Sequence, residues 1–214
     1  MSLTLIYDLL WATAETLYMV TLSTIGAILL GLPLGTLLFT TRSVKPYPAL
    51  AHFLSTFINA TRSIPFIILL VALIPLTRLL VGTSIGIHAA IVPLILGATP
   101  FFARLVSNVY QHLPEGLIET GFSMGTTTWQ MIRFILLPEA LSPLIQAITV
   151  TAITLINYSA MAGTVGGGGL GDLAIRYGYQ RFNAGIMMAT ILILILIVQC
   201  VQLAGDKLAH RITA

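Results

Sequence analysis

IMMATILILILIVQCVQL, from Ile186 to Leu203, carries no charged residue. At about 20 residues per crossing it is long enough to pass through a bilayer as one helix. Four further apolar runs precede it, at 11–40, 64–81, 85–106 and 141–162. The whole chain shares their character: 57% of its 214 residues are hydrophobic and 8% are charged. A soluble domain carries roughly 25% charged residues, so most of this exterior is expected to meet lipid. Five spans leave no room for a sizeable extramembrane domain. The reading is an all-α, polytopic membrane protein of five transmembrane helices, with residues 1–214 forming a single transmembrane domain.

An odd number of spans puts the termini on opposite sides, and the distribution of Lys and Arg decides which is which. One side holds three basic residues, Arg78, Arg176 and Arg181. The other holds seven: Arg42, Lys45, Arg62, Arg104, Arg133, Lys207 and Arg211. The N-terminus is therefore expected outside and the C-terminus in the cytoplasm. No Lys or Arg precedes Arg42 and no small-residue cleavage pattern follows a short apolar core, so no removable signal peptide is expected. The charges are too scattered for a nucleic-acid surface. Cys200 stands alone in an apolar run, and His52, His88, His112 and His210 show no metal-ligand spacing. No pair of carboxylates and no nucleophile with a base suggests catalysis.

Helix breakers punctuate the spans: Pro33 in the first, Pro65 and Pro75 in the second, Pro93 and Pro100 in the third. Gly31 and Gly35 have the spacing that lets two membrane helices approach closely. Gly82 and Gly86 share that spacing but are expected in a loop. No internal repeat supplies a second half, so a pathway along a symmetry axis requires a second copy of the chain.

The segment 104–138 is too polar to span. It reads as two short amphipathic helices around Gly125, which can supply the positive φ of a tight turn. Pro138 is expected where a new helix starts. Met124, Trp129, Met131 and Ile132 give the element an apolar face that could fill a groove in another protein.

This segment resembles the signature loop of the permease subunits of ATP-binding-cassette importers: Glu-Ala-Ala, three residues, Gly, nine residues, Ile, one residue, Leu-Pro. Glu119, Gly125, Ile135, Leu137 and Pro138 fall in register. Thr120 and Gly121 replace the two alanines, a departure expected to loosen the first helix. The runs 62–70, 81–86 and 158–180 narrow the resemblance to the methionine importer permease subgroup. It implies a five-helix homodimer in the bacterial inner membrane, two copies of a cytosolic ATPase, and an extracytoplasmic methionine-binding lipoprotein. It implies that ATP and Mg²⁺ belong to the ATPase and that this chain holds no cofactor. It also implies that a loop at about 112–137, with Glu119, Thr120, Gly121, Met124, Gly125, Trp129 and Pro138, docks into the ATPase. A permease for another amino acid, or a self-sufficient secondary transporter, are the alternatives.

Beside that resemblance, Thr151, Thr154, Tyr158 and Met161 follow helical spacing in the fourth span, with Asn157 and Ser159 beside them. Polar groups in hydrocarbon need partners, so this stripe is expected to line or gate the pathway, or to bind helices together. The glycine run 166–171 lacks the preceding strand and the Lys-Ser/Thr of a phosphate loop. It is expected as an outer loop, where Gly168, Asp172, Arg176 and Tyr179 would receive a binding protein. Arg62 is expected at a cytoplasmic span end, reaching lipid phosphates or stabilising a closed state; Arg78 and Arg104 are read as interface anchors.

Overall fold

The computed structural model describes residues 3–213. In chain order its helices are α1 (Leu3–Phe39), α2 (Pro48–Ser63), α3 (Phe66–Ala72), α4 (Ile74–Val81), α5 (Ile87–Gln111), α6 (Glu115–Ser123), α7 (Thr128–Gln130), α8 (Leu137–Glu139), α9 (Leu141–Gly163), α10 (Gly169–Leu173) and α11 (Ala184–Thr213). π-helical turns extend α1 (Thr40–Val44), join α7 to α8 (Met131–Leu136) and prolong α10 (Ala174–Tyr179). Four helices, α1, α5, α9 and α11, are long and apolar enough to cross a membrane, and α2 with α3 is a bent pair that makes a fifth crossing if the two count as one span.

That bent pair corrects the expected second span. Residues 64–81 do not form one helix. Pro65 disfavours helical backbone at the residue before it, and Ile64 is extended at φ −80 and ψ 124. The chain bends by 99° between α2 and α3. Leu54 and Ile58 of α2 pack against Leu34, Leu38 and Ala103, near the end of the bundle that carries Phe39 and Gln111, called here the elbow end. Leu70, Ile74 and Thr77 of α3 and α4 line a small cavity with Ala89, Ala90, Ala162 and Val165, at the opposite, glycine-loop end. The amphipathic α2 therefore packs along the elbow half of the bundle, and α3 and α4 continue from mid-bundle toward the glycine-loop end. An apolar run reads the same whether it is one straight helix or two set at an angle, so hydropathy alone could not place the bend. Gly82 and Gly86 stand in the following loop with φ of 83 and 99. Pro33, Pro93 and Pro100 stay inside continuous helices.

The other helices pack where small residues permit. A Cβ on Gly31 would lie 2.9 Å from the Thr99 carbonyl oxygen, and one on Gly35 would collide with that of Ala103. These two positions bring α1 onto α5 as their spacing predicted. Gly205 does the same for α11 against Thr149 of α9, where Ser142 Oγ also donates to the Ala209 carbonyl at 3.2 Å. Threonine hydroxyls inside the spans bond back to carbonyls one turn earlier, as at Thr24, Thr99 and Thr149. This satisfies a polar group without a partner helix.

Gly35→Leu forces apart a contact that has no room for a Cβ. We expect a loss of about 2 kcal/mol, as for overpacking in a filled interior. In detergent that is a fall in Tm of roughly 4–8 °C for a chain of this size.

Candidate functional site

At the elbow end, α6 and the helix from Thr128 to Glu139 fold back on each other. Gly125 makes the turn at φ 69, the conformation expected of it. Gly121 explains itself here: a Cβ would sit 2.8 Å from Met131 Cε and 3.1 Å from Ile135 Cδ1. The departure from Ala-Ala therefore tightens the contact between the two arms instead of loosening the helix. Three polar residues missed in the sequence fasten the turn. The Thr126 hydroxyl donates to the Gly121 carbonyl at 2.9 Å, and Thr127 and Gln130 form a capping box. Met131 is fully buried and Ile132 half-buried, so they belong to the core and not to the outer apolar face. The face presented outward is Phe122, Met124, Trp129 and Phe134, exposed by 52–73%. Glu119 and Thr120 are exposed on α6. Glu119 borders a cavity of about 300 Å³ with Phe39, Ser43, Tyr110 and Ile118. Pro138 stands in the first turn of α8, the helix start expected of it, with the π-helical turn running directly into it. The π-helical turn before it, with Leu137 N–H donating to the Ile132 carbonyl, accommodates the proline ring that would crowd an α-helix.

Midway along the bundle, Arg62 stands over the Phe101 ring at 5.7 Å. Phe101 is near the middle of α5, roughly 15 Å or more from either end at 1.5 Å per residue. Arg62 is thus deep, not at a span end. Arg104 also lies within α5, with Nη1 buried and lacking a hydrogen bond. Thr61, Arg62, Ile64, Phe66, Leu69, Gly97, Phe101 and Tyr158 line a cavity of about 240 Å³ that is open on the side where Arg62 and Ile64 are exposed. Tyr158 stacks face to face on Phe66, ring centres 4.2 Å apart and planes 3° from parallel.

The remaining residues of the expected α9 stripe divide. Thr151 and Ser159 are buried, their hydroxyls donating to the carbonyls of Ala147 and Ile156 at 2.7 Å. They face the packed interior and do not line this cavity. Thr154 is half-buried and bonds to the Val150 carbonyl. Asn157 and Met161 are exposed on the outer face of α9. Of the six residues, only Tyr158 borders the cavity.

At the far end, the glycine loop is tied down by a residue the sequence reading passed over. Glu15 of α1 accepts hydrogen bonds from Trp11 Nε1 at 2.7 Å and from the Gly169 N–H at 2.8 Å. The Leu170 N–H donates to Thr16 Oγ1 at 2.9 Å. Gly168 adopts φ 82 beside Glu15. Gly163 and Gly171 leave no room for a Cβ between α9 and α10, so much of the run serves close packing. Asp172 pairs with Arg176, and that hydrogen bond raises the Arg176 guanidinium above its ordinary pKa. Arg176, Tyr179 and Phe182 remain exposed, Phe182 by 88% and with a positive φ of 51.

This architecture has close counterparts. Residues 27–214 match the family described as binding-protein-dependent transport system inner membrane component. The chain belongs to that family. The probable D-methionine transport system permease protein MetI of Vibrio cholerae is 50% identical over 207 residues, covering 95% of this chain and 92% of that protein. The D-methionine transport system permease protein MetI of Escherichia coli K12 is 52% identical over 151 residues, 70% of each chain. In the MetNI methionine ABC transporter, solved in inward-facing conformations, one chain superposes with a TM-score of 0.98 at 46% identity, with full coverage of both. An amino acid ABC transporter solved with histidines shares the fold at a TM-score of 0.77 and 20% identity, covering 95% and 93% of the two chains.

Two variants test the local geometry. Thr127→Ala removes the acceptor of the capping box, worth about 1 kcal/mol, and should speed amide exchange across 127–131 roughly fivefold. Glu15→Ala leaves the Gly169 N–H without its acceptor, a loss of about 1–3 kcal/mol. It should show as faster exchange confined to the glycine loop.

Proposed function

We propose that this chain is the membrane subunit of an ATP-driven importer of methionine, in its D form, its L form or both, working as a homodimer by alternating access. Two copies of a cytosolic ABC ATPase would supply the work, and ATP and Mg²⁺ would be bound there. The elbow carries the proposal: a glycine-tight, capped element that presents Phe122, Met124, Trp129 and Phe134 to the outside. Exposed aromatic anchors on a rigid element fit a groove in a partner protein. The substrate rests on the relatives named for methionine.

In this reading the N-terminus lies outside and the elbow in the cytoplasm of the bacterial inner membrane, within a single transmembrane domain. With Arg62 and Arg104 placed inside the bundle, the basic residues still favour the elbow side, five against three. The glycine-loop end then faces an extracytoplasmic methionine-binding lipoprotein, received by Arg176 and Tyr179 with Gly168 and Asp172 beneath them. The Asp172 carboxylate orients Arg176 and is not itself free for the carrier. Movement of the elbow would pass through α8 into α9, shifting Tyr158 and exposing the central cavity to one side and then the other. Coupling of this kind requires two packed states whose balance the nucleotide changes.

The test is uptake of labelled methionine in cells lacking their own importer, with this chain, its ATPase and its carrier expressed together. Uptake should require the ATPase and collapse in Glu119→Ala and Gly125→Pro, the latter because proline cannot adopt positive φ. Trp129→Glu should abolish co-purification of the ATPase by placing a charge in an apolar dock. Uptake that survives without the ATPase would refute the mechanism, and uptake of other amino acids alone would refute the substrate.

A further inference from the structure

The central cavity carries a positive charge for which the chain supplies no counter-charge. All seven acidic residues are Asp8, Glu15, Glu115, Glu119, Glu139, Asp172 and Asp206. None is on α2, α3, α4, α5 or α9, the elements that contribute the cavity and its surroundings. Among the described residues the ion pair is Arg176–Asp172, at the far end. Arg62 forms no hydrogen bond among them and rests over Phe101 at 5.7 Å. Arg104, one turn along α5 from Phe101, has a buried, unbonded guanidinium nitrogen but does not line this cavity, so Arg62 is the cavity's one cation among the described residues. An unpaired cation at mid-depth is expensive, so such residues mark the path of a ligand.

We propose that Arg62 binds the carboxylate of the cargo in transit, making this cavity a way station for a single free amino acid. The proposal rests on the importer reading above. A guanidinium presents a planar fork that matches a carboxylate through two parallel hydrogen bonds. The other walls suit the rest of the molecule. Phe66, Leu69, Phe101 and Tyr158 offer apolar and aromatic surface to a side chain such as a thioether, which packs well against rings. Thr61 Oγ1 donates its proton to the Phe57 carbonyl, leaving its lone pairs to accept from the cargo's ammonium group. Gly97 keeps the floor open, since a Cβ there would already be 3.2 Å from the Phe66 ring. The volume of about 240 Å³ is below the roughly 300–1,000 Å³ of sites for drug-sized ligands, so it takes one small molecule.

The charge does two things for transport. It gives the carboxylate a place to lose its hydration without losing its charge partner. It also discriminates by chemistry: a methionine amide or ester, which keeps the thioether but not the anion, gains nothing from Arg62.

Modification of the native permease–ATPase complex with phenylglyoxal, followed by mass spectrometry of the peptide containing Arg62, tests this directly. Saturating methionine should slow modification of Arg62 at least threefold. Methioninamide should not, and the exposed Arg42 should react at one rate throughout. Equal rates at Arg62 with and without methionine, or equal protection by the amide, would overturn the proposal. In uptake, R62Q should fall at least tenfold and R62K should recover part of the loss. Uptake by R62Q within twofold of the native chain would overturn it as well. Failure of the substrate assignment looks different: a native complex that imports no methionine, yet whose Arg62 is protected by another carboxylated amino acid, refutes methionine and upholds the carboxylate site.

Discussion

A backbone surrounded by hydrocarbon must satisfy its own N–H and C=O groups, because no water is present to do it. Everything in this molecule follows from where that demand is met by continuous helix and where it is not. α1, α5, α9 and α11 meet it by continuous helix, which Pro33, Pro93 and Pro100 interrupt only by the one N–H that each lacks. The chain leaves helix inside the bundle at Ile64 and Pro65, and it leaves helix at the far end in the glycine loop. The first departure borders the central cavity. The second is repaired by side chains of α1, with Glu15 and Thr16 accepting from Gly169 and Leu170.

The same economy of polar groups separates packing residues from cavity-lining ones along α9. Thr151 and Ser159 spend their hydroxyls on their own helix and sit in the packed interior, so they contribute cohesion. Tyr158, one residue from Ser159 but on another face, stacks on Phe66 at the cavity wall. Its neighbours by sequence are thus not its neighbours by role, which follows from a helix rotating about 100° per residue.

The fold class, four of the five crossings and the positive φ at Gly125 were legible because they rest on signals local to the chain: apolar length, glycine and proline. The elbow's position was legible because Glu119, Gly125 and Pro138 keep a fixed spacing. What escaped was depth. Arg62 sits between a polar segment and an apolar run, which reads as a boundary, and only the 99° bend after Ser63 puts it mid-bundle. Likewise Met131 and Trp129 are equally apolar in sequence, and only the Gly121 contact decides which turns inward. Glu15 was passed over because its partner amide lies 154 positions away, beyond any periodicity.

The close approach at Gly121 has a mechanical consequence. Two arms in contact through a glycine, with Thr126 and a capping box at the fold, have little freedom to flex against each other, so the elbow is stiff. Its second arm runs from Thr128 to Glu139 and meets α9 across Ala140 alone, a residue with no exposed surface. A stiff arm joined to a long shaft by so short and confined a hinge is a crank. In the importer reading, a displacement applied at Trp129 would have little room to dissipate before it turned the base of α9. Tyr158, farther along that shaft at the cavity wall, would travel with it.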